Sequence, residues 1–523
     1  MTEPIIQPTA EPTGEPAGEP RTSRSPIFVV VHQFGSGGVT QAVQDQCRMF
    51  ADAGHPVTLV VLSNELTPAR VEHLREQGRI GPDVAVRGPA LDLAQAWADV
   101  DAVEDPTGTA ALLAGPGVLV EGRGTAPGLE RWYAPDGSYL AHVKRDAGGA
   151  VVEVGRHRGR DVGVRERWSE GRVRHVEHLA LNGVVDREVW YTPNGHPWMS
   201  RAADPESHRG RGVAIHRPGA EPELYAGGPA WHVAWLEALL AEPGTEVVAL
   251  AETASTIPKL ARARGDRVRR FGMLHNNQFA APFTVGSPLR SDHADLFATA
   301  GRLDGLVVLT EPQRRHVLDI VGEDVPVHVV PNATRLPAGT ESVAKDPHLV
   351  TVMSRISPQK ALHEAIHAFA LVVAEVPEAR LEIYGRGPSR AELEALVERL
   401  GLTGSVTFPG RTSDPHGVMA RSVCTLSTSD WEAMPLSIME SQAAGTPVVA
   451  YDCLYGPATL IEDGVTGRLL DRGDREGVAR AVVELLRDPD RAAAMGATAR
   501  ERVAERYTAP VVARQWERVF GEG

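Results

Sequence analysis

The segment Ser429 to Glu440 carries the densest set of residues suited to holding a sugar or a nucleotide. Pro435 suits the first position of a helix, because its fixed φ is helical and its missing N–H would have no partner there. Gly445 and Pro447 stop that helix. The backbone N–H groups near its start, from Ala433 and Met434 through Leu436 to Ser437, are then free to draw an anion or polar oxygens. Glu432 stands at the lip of this helix start and Glu440 lies about two turns further on. A carboxylate accepts paired hydrogen bonds from adjacent hydroxyls, which suits it to a hexose or a ribose. Taken singly, each has a plainer reading, Glu432 as a capping charge and Glu440 as a surface carboxylate.

Two cations come next. Arg355 and Lys360 share one loop at the end of an apolar run. A guanidinium fork and an ammonium at that spacing neutralise a diphosphate, and in the transition state they stabilise it as a leaving group. Solvated surface charge is the competing reading. Gly385-Arg386-Gly387-Pro388 permits close approach of backbone and then stiffens the chain, which an ordinary strand-to-helix turn also requires. Near the N-terminus, Gly37 and Gly38 close a glycine-rich loop.

These groups need elements to position them. Residues 27–32 are continuously apolar and β-branched, as a strand buried on both faces should be. A helix over 39–53 and a second buried strand over 57–63 complete a βαβ unit, the seed of a doubly wound α/β domain. From about 122 to 225 the pattern changes to short alternating strands, with Asp136-Gly137 and Asn194-Gly195 as hairpin turns. This stretch reads as an antiparallel β insertion within the first domain, and deleting about 125–225 is expected to spare donor binding but impair assembly or acceptor use. The α/β pattern resumes near Trp231, and a second α/β domain begins near His348. Its helix after Pro388 is expected to open with a capping box, Ser389 to Glu392. The expected divisions are a Pro/Glu-rich tail (1–25), a first domain (26–122 and 229–340), the insertion (123–228), a second domain (341–505) and a C-terminal helix (506–523).

The totals exclude several classes. A chain of 523 residues exceeds one compact core. A net charge of -14 argues against nucleic-acid binding. Cys47, Cys424 and Cys453 form no metal-spaced group, and so few cysteines suit a reducing cytoplasm. No run reaches the roughly 20 apolar residues of a membrane span. The first residues, with Pro4, Pro8, Pro12, Pro16 and Pro20, read as an extended tail rather than a signal peptide. A nicotinamide site is set aside because Thr40 stands where the third glycine of its fingerprint belongs.

Arg355 with Lys360, the Gly385–Pro388 loop, and Glu432 with Glu440, in this order, resemble the retaining glycosyltransferases of family 4 over roughly residues 348–506. The resemblance implies the GT-B fold: α/β, two Rossmann-like domains facing a cleft. It implies that Arg355 and Lys360 bind the diphosphate of a nucleotide sugar, Glu432 the transferred hexose and Glu440 the ribose. Gly37, Gly38, Gly385, Gly387 and the backbone of Ala433, Met434, Pro435 and Leu436 would touch the donor, and His275 would present a polar group to the sugar. Arg355, Lys360, Glu432 and His275 would be the catalytic set, with no metal and no other cofactor. Tyr455-Gly456-Pro457 and the β insertion resemble the poly(glycerol or ribitol phosphate) glycosyltransferases that decorate teichoic acids. That closer resemblance implies a UDP-sugar donor, a polysaccharide or polyol-phosphate acceptor, peripheral membrane contact through the acceptor, and a homo-oligomer built through the insertion. Between 141 and 180, nine Lys/Arg face six Asp/Glu, a local surplus suited to a polyanion or to a solvated β surface. A non-catalytic assembly subunit and a nucleotide-sugar epimerase of the same fold stay open as alternatives.

Overall fold

The computed structural model describes residues 24–35, 37–114, 119–121, 128–158, 161–207 and 209–521. Residues 1–23 of the expected tail lie outside them. Two parallel sheets and one antiparallel sheet make up the molecule.

The first parallel sheet holds Ile27–Val31, Val57–Val61, Val84–Arg87, Val247–Ala251, Val268–Leu274, Gly305–Val308 and Val327–Val329. Their spatial order is third, second, first, fourth, fifth, sixth, seventh. Ile27–Val31 and Val247–Ala251 are buried along their whole length, as unbroken apolar runs must be when helices cover both faces. The second sheet holds Leu349–Met353, Arg380–Tyr384, Val406–Gly410, Cys424–Ser427, Val448–Asp452 and Gly467–Asp471, again with the first strand beside the fourth. In each sheet the strand order reverses between first and fourth, and ligands of such sheets bind at the carboxyl ends of the strands flanking that switch.

The insertion forms a ten-stranded antiparallel meander from Leu119–Glu121 to Glu223–Tyr225. Its hairpins turn at Gly137 and Gly195, both at positive φ. It is not separable. Trp190, Trp198, Met199, Val213 and Ile215 share one buried cluster with Leu93, Trp231 and Trp235 of the first domain. Turn signals and alternation reveal the strands but not which face is covered, so the sequence missed this shared core.

One local expectation also changes. Ser389 precedes the helix Arg390–Arg399 without a side-chain capping bond, its backbone being turned at φ -81, ψ 2 rather than extended. The last helix, Ala509–Val519, returns to the first domain. Trp516 meets Phe50 edge-on at 5.6 Å between ring centroids. Phe520 lies 5.7 Å from both Phe50 and Phe271.

Candidate active site

The carboxyl ends of the two switch points face each other across a cavity of about 320 Å³. From the first domain it is lined by Gly37, Gly38, Val39, Thr40, Ala42, His275, Asn276 and Asn332. From the second come Met353, Ser354, Arg355, Gln359, Lys360 and the run Glu432 to Ser437. The sequence thus placed Gly37, Gly38, His275, Arg355, Lys360, Glu432, Ala433, Met434, Pro435 and Leu436 where the structure brings them together.

Gly37 holds φ 126 and ends where the helix Gly38–Asp52 begins. That helix has no side-chain cap and no acidic residue in its first turn. Its unpaired N–H groups and positive dipole end therefore stay available to an anion. A second helix start, Leu436–Ala443, lies opposite and is likewise uncapped by any side chain. Here the expectation for Pro435 shifts by one residue. Pro435 sits before the helix at φ -71, ψ 114, and its carbonyl accepts the N–H of Ile438 at 3.1 Å. Gly445 ends this helix at positive φ, with its N–H on Gln442 O and that of Thr446 on Ser441 O, the paired bonds of a Schellman turn.

Lys360 Nζ donates to Glu432 Oε1, and both side chains are mostly buried. Glu432 is therefore enclosed and paired rather than perched on a lip. Its backbone is fixed too: Glu432 N–H donates to Leu454 O and Tyr455 N–H to Glu432 O, each at 2.8 Å. Arg355 reaches Gln359 Oε1 at 3.2 Å, and Gln359 Nε2 donates to Trp431 O at 3.0 Å. One glutamine thus ties the cationic loop to the acidic one.

Gly385 and Gly387 do not line the cavity. They lie against the cationic loop from behind. A Cβ on Gly385 would stand 1.8 Å from Ser354 O, and one on Gly387 2.0 Å from Ile356 O. Their role is to let that loop fold tightly, with Ile356 N–H donating to Arg386 O at 3.0 Å.

Glu440 also lies beyond the cavity lining. Burial, and then the charge of Asp45 from the opposite domain, push its carboxyl up to about 7. Asp45 is raised as well, burial being the main cause.

Some of the site was not legible in the sequence. His275 Nε2 bonds to Glu252 Oε2, and both side chains are buried. Glu252 directly follows the neighbouring strand Val247–Ala251, so only the sheet order joins the two. Asn332 Nδ2 donates to Met434 O at 3.3 Å across the cleft. The signal for both was their position just past an apolar run, which is where ligands of open α/β sheets bind.

A larger groove of about 990 Å³ lies between the first domain and the insertion, with Phe34 and Gly35 in its lining. Arg167, Arg174 and Arg201 line it, but the basic surplus read from the sequence is largely paired. Lys144 is bonded to Glu153, Arg145 to Glu130, Arg165 to Glu177 and Arg174 to Glu170. Among the described residues His175, Glu177 and Glu188 are close enough to share a cation, yet Arg165 and Arg201 already hold the two carboxylates.

Comparison with known proteins bears directly on this cleft. Residues 340–502, which carry the cationic loop and both glutamates, match the family model "Glycosyl transferases group 1". The chain is a glycosyltransferase. It is 24% identical over 399 residues to the poly(ribitol-phosphate) alpha-N-acetylglucosaminyltransferase of Staphylococcus aureus, covering 75% of this chain and 78% of that one. It is 29% identical over 230 residues to the poly(glycerol-phosphate) alpha-glucosyltransferase of Bacillus subtilis, 44% of this chain but 34% of that relative. A crystal structure of TarM from S. aureus, in complex with Fondaparinux, alpha-GlcNAc-glycerol and UDP, superposes with a TM-score of 0.85 at 20% identity, over 95% of this chain and 100% of that one. The architecture of this glycosyltransferase is GT-B, with the antiparallel sheet inserted in its N-terminal domain. None of its described helices is long and apolar enough to cross a membrane.

Proposed function

We propose that this glycosyltransferase moves a hexose, glucose or N-acetylglucosamine, from a UDP-sugar to a hydroxyl of a polyol-phosphate polymer, with retention of anomeric configuration. The observation that carries the reading is the buried Lys360–Glu432 pair beside Arg355, set between two uncapped helix starts. A diphosphate entering there meets Arg355, Lys360 and the N–H groups of Gly38 and Leu436. Drawing Lys360 toward the phosphate frees Glu432 to accept hexose hydroxyls. The same cations stabilise the departing UDP, so no step asks for a metal.

His275 presents its ring to the cavity, and Glu252 behind it fixes the orientation in which the ring meets the sugar. Glu440 lies far enough from this centre to hold the ribose. The acceptor hydroxyl approaches on the leaving-group side, which agrees with a site whose two glutamates bind rather than attack. The names of the S. aureus and B. subtilis relatives support a polyol-phosphate acceptor. A cytoplasmic location, with membrane contact made through the acceptor, and assembly through the insertion belong to the same proposal.

The test is transfer from radiolabelled UDP-glucose and UDP-N-acetylglucosamine to poly(ribitol phosphate) and poly(glycerol phosphate), with and without EDTA. Label on a polymer, unchanged by EDTA, is the expected result. Release of free sugar epimer without acceptor would instead establish an epimerase.

A further inference from the structure

In the proposed reaction Lys360 turns to the diphosphate, and Glu432 loses the side chain that holds it. Its place then depends on its backbone, which Leu454 and Tyr455 hold through two hydrogen bonds of 2.8 Å. Gly456 continues this support. A Cβ on it would stand 2.6 Å from Ala433 O and 2.4 Å from Pro435 Cδ, so the segment packs directly against the loop that lines the cleft.

Tyr455 in turn is tied to the opposite domain. Its side chain is buried, and so is that of Gln278, whose Nε2 donates to the Tyr455 hydroxyl at 2.7 Å. That leaves the hydroxyl proton for His316 Nδ1, 3.2 Å away. Burial lowers the pKa of His316, which favours the neutral ring able to accept it. A buried hydroxyl costs free energy unless it is bonded, and phenylalanine would fill the same space. Both partners of this one belong to the first domain, Gln278 in the loop 275–290 and His316 in the helix Glu311–Val321. Gln278 follows His275 by three residues. The same loop also holds the residues just before Glu432. Phe283 stacks on Trp431 with ring centroids 3.8 Å apart, and Arg472 donates to Pro282 O and Asp430 O at 3.2 Å each.

We propose that Tyr455 is a positioning residue for the transfer: its hydroxyl holds the Glu432 carboxylate at a fixed place relative to His275 once Lys360 has turned to the diphosphate, and so sets the position of the transferred hexose. This rests on the donor-sugar reading above. The contacts run from the His275 loop through Gln278 Nε2 to the Tyr455 hydroxyl, and from the Tyr455 N–H to the Glu432 carbonyl. Such a hold matters because a group misplaced by about 1 Å can lose about 10² in rate. Lys360 cannot supply it while bound to phosphate.

The experiment compares wild type, Tyr455→Phe, Gln278→Met and the double variant by two measurements. One is kcat/KM for transfer from UDP-glucose and UDP-N-acetylglucosamine to poly(ribitol phosphate) and poly(glycerol phosphate). The other is calorimetric affinity for UDP and for the two UDP-sugars. Tyr455→Phe should lower kcat/KM about tenfold or more and leave UDP affinity unchanged, because Glu432 meets the hexose and not the diphosphate. Gln278→Met should act in the same direction, and the double variant should be no slower than Tyr455→Phe alone, since all break one bridge. A tyrosine that only packs would lower Tm and leave kcat/KM as it is; that result, or an equal fall in UDP affinity, overturns the positioning role. Additive losses overturn the bridge. Wild type that binds no UDP sinks the donor reading, and the role of Tyr455 with it. Wild type that binds a UDP-sugar but glycosylates neither polymer sinks the acceptor reading alone, and calorimetry then decides: Tyr455→Phe must weaken the UDP-sugar and not UDP, and any other outcome refutes the role. Should Tyr455→Phe not fold, Gln278→Met is judged by the same readings.

Discussion

Lys360 and Glu432 hold each other in the cleft, so each substitution should do two things at once. Lys360→Ala removes a donor to the diphosphate and leaves a buried carboxylate unpaired. Turnover should fall by about 10² or more, and Tm should fall as well. Arg355→Ala, whose side chain hydrogen-bonds to Gln359 at 3.2 Å, should lower turnover by a similar factor with little change in Tm. Steady-state kinetics beside thermal melts separate the two.

Glu440 gives a pH signature. Its folded pKa, about 7, is raised above the unfolded value of about 4.3. The folded state therefore holds the proton more tightly, and this contribution to stability is present at low pH and lost as pH rises to about 7. Glu440→Gln should gain on wild type across that window, by roughly 1 kcal/mol per pH unit. Denaturant melts at pH 5.5 and 8 test it; a constant difference would mean that the carboxyl is not enclosed. Arg355, Lys360 and Glu432 were readable from the sequence because residue type and spacing alone define their chemistry. Glu252 was not, because its meaning depends on a neighbour that sheet order supplies.

The loops behave as a set of interlocked turns. Gly385 and Gly387 were expected to touch the donor; they instead sit against the carbonyls of Ser354 and Ile356. Gly387→Ala must push that backbone away and carry Arg355 and Lys360 with it. UDP affinity should drop about tenfold or more while the chain stays folded, at a stability cost of about 1–3 kcal/mol. Calorimetry would show it, and unchanged affinity would mean that the loop yields elsewhere. Element types were legible wherever apolar runs were long. Boundaries were less so: Pro435 and Ser389 each carry the right residue for a helix start, yet their backbone conformation depends on the loops they meet.

Across the whole molecule, the β insertion and the C-terminal helix are joined to the first domain by burial. Deleting 125–225 would strip Trp190, Trp198 and Ile215 from a core that also holds Trp231 and Leu93. The deleted protein should therefore aggregate rather than retain donor binding, as gel filtration would reveal; a monodisperse product that still binds UDP would contradict the shared core. Trp516→Ala should cost about 3–5 kcal/mol, read from denaturant unfolding. The sequence showed a C-terminal helix over 506–523 but not what Trp516 and Phe520 pack against, since packing between residues so far apart leaves no local pattern.

That return of the last helix bears on how the protein is made. Phe50 emerges from the ribosome 466 residues before Trp516, the difference of their positions. At elongation rates of about 5 to 20 residues per second this is a delay of roughly 25 to 90 s. For the last part of it, the 187 residues from Val329 to Trp516 and roughly 9 to 37 s, the first sheet stands complete but with one helical face uncovered, its aromatic seat for Trp516 and Phe520 open to water. Assembly of the N-terminal domain thus runs against the direction of synthesis. The nascent chain has to keep this patch from other hydrophobic surfaces until the helix Ala509–Val519 arrives to cover it.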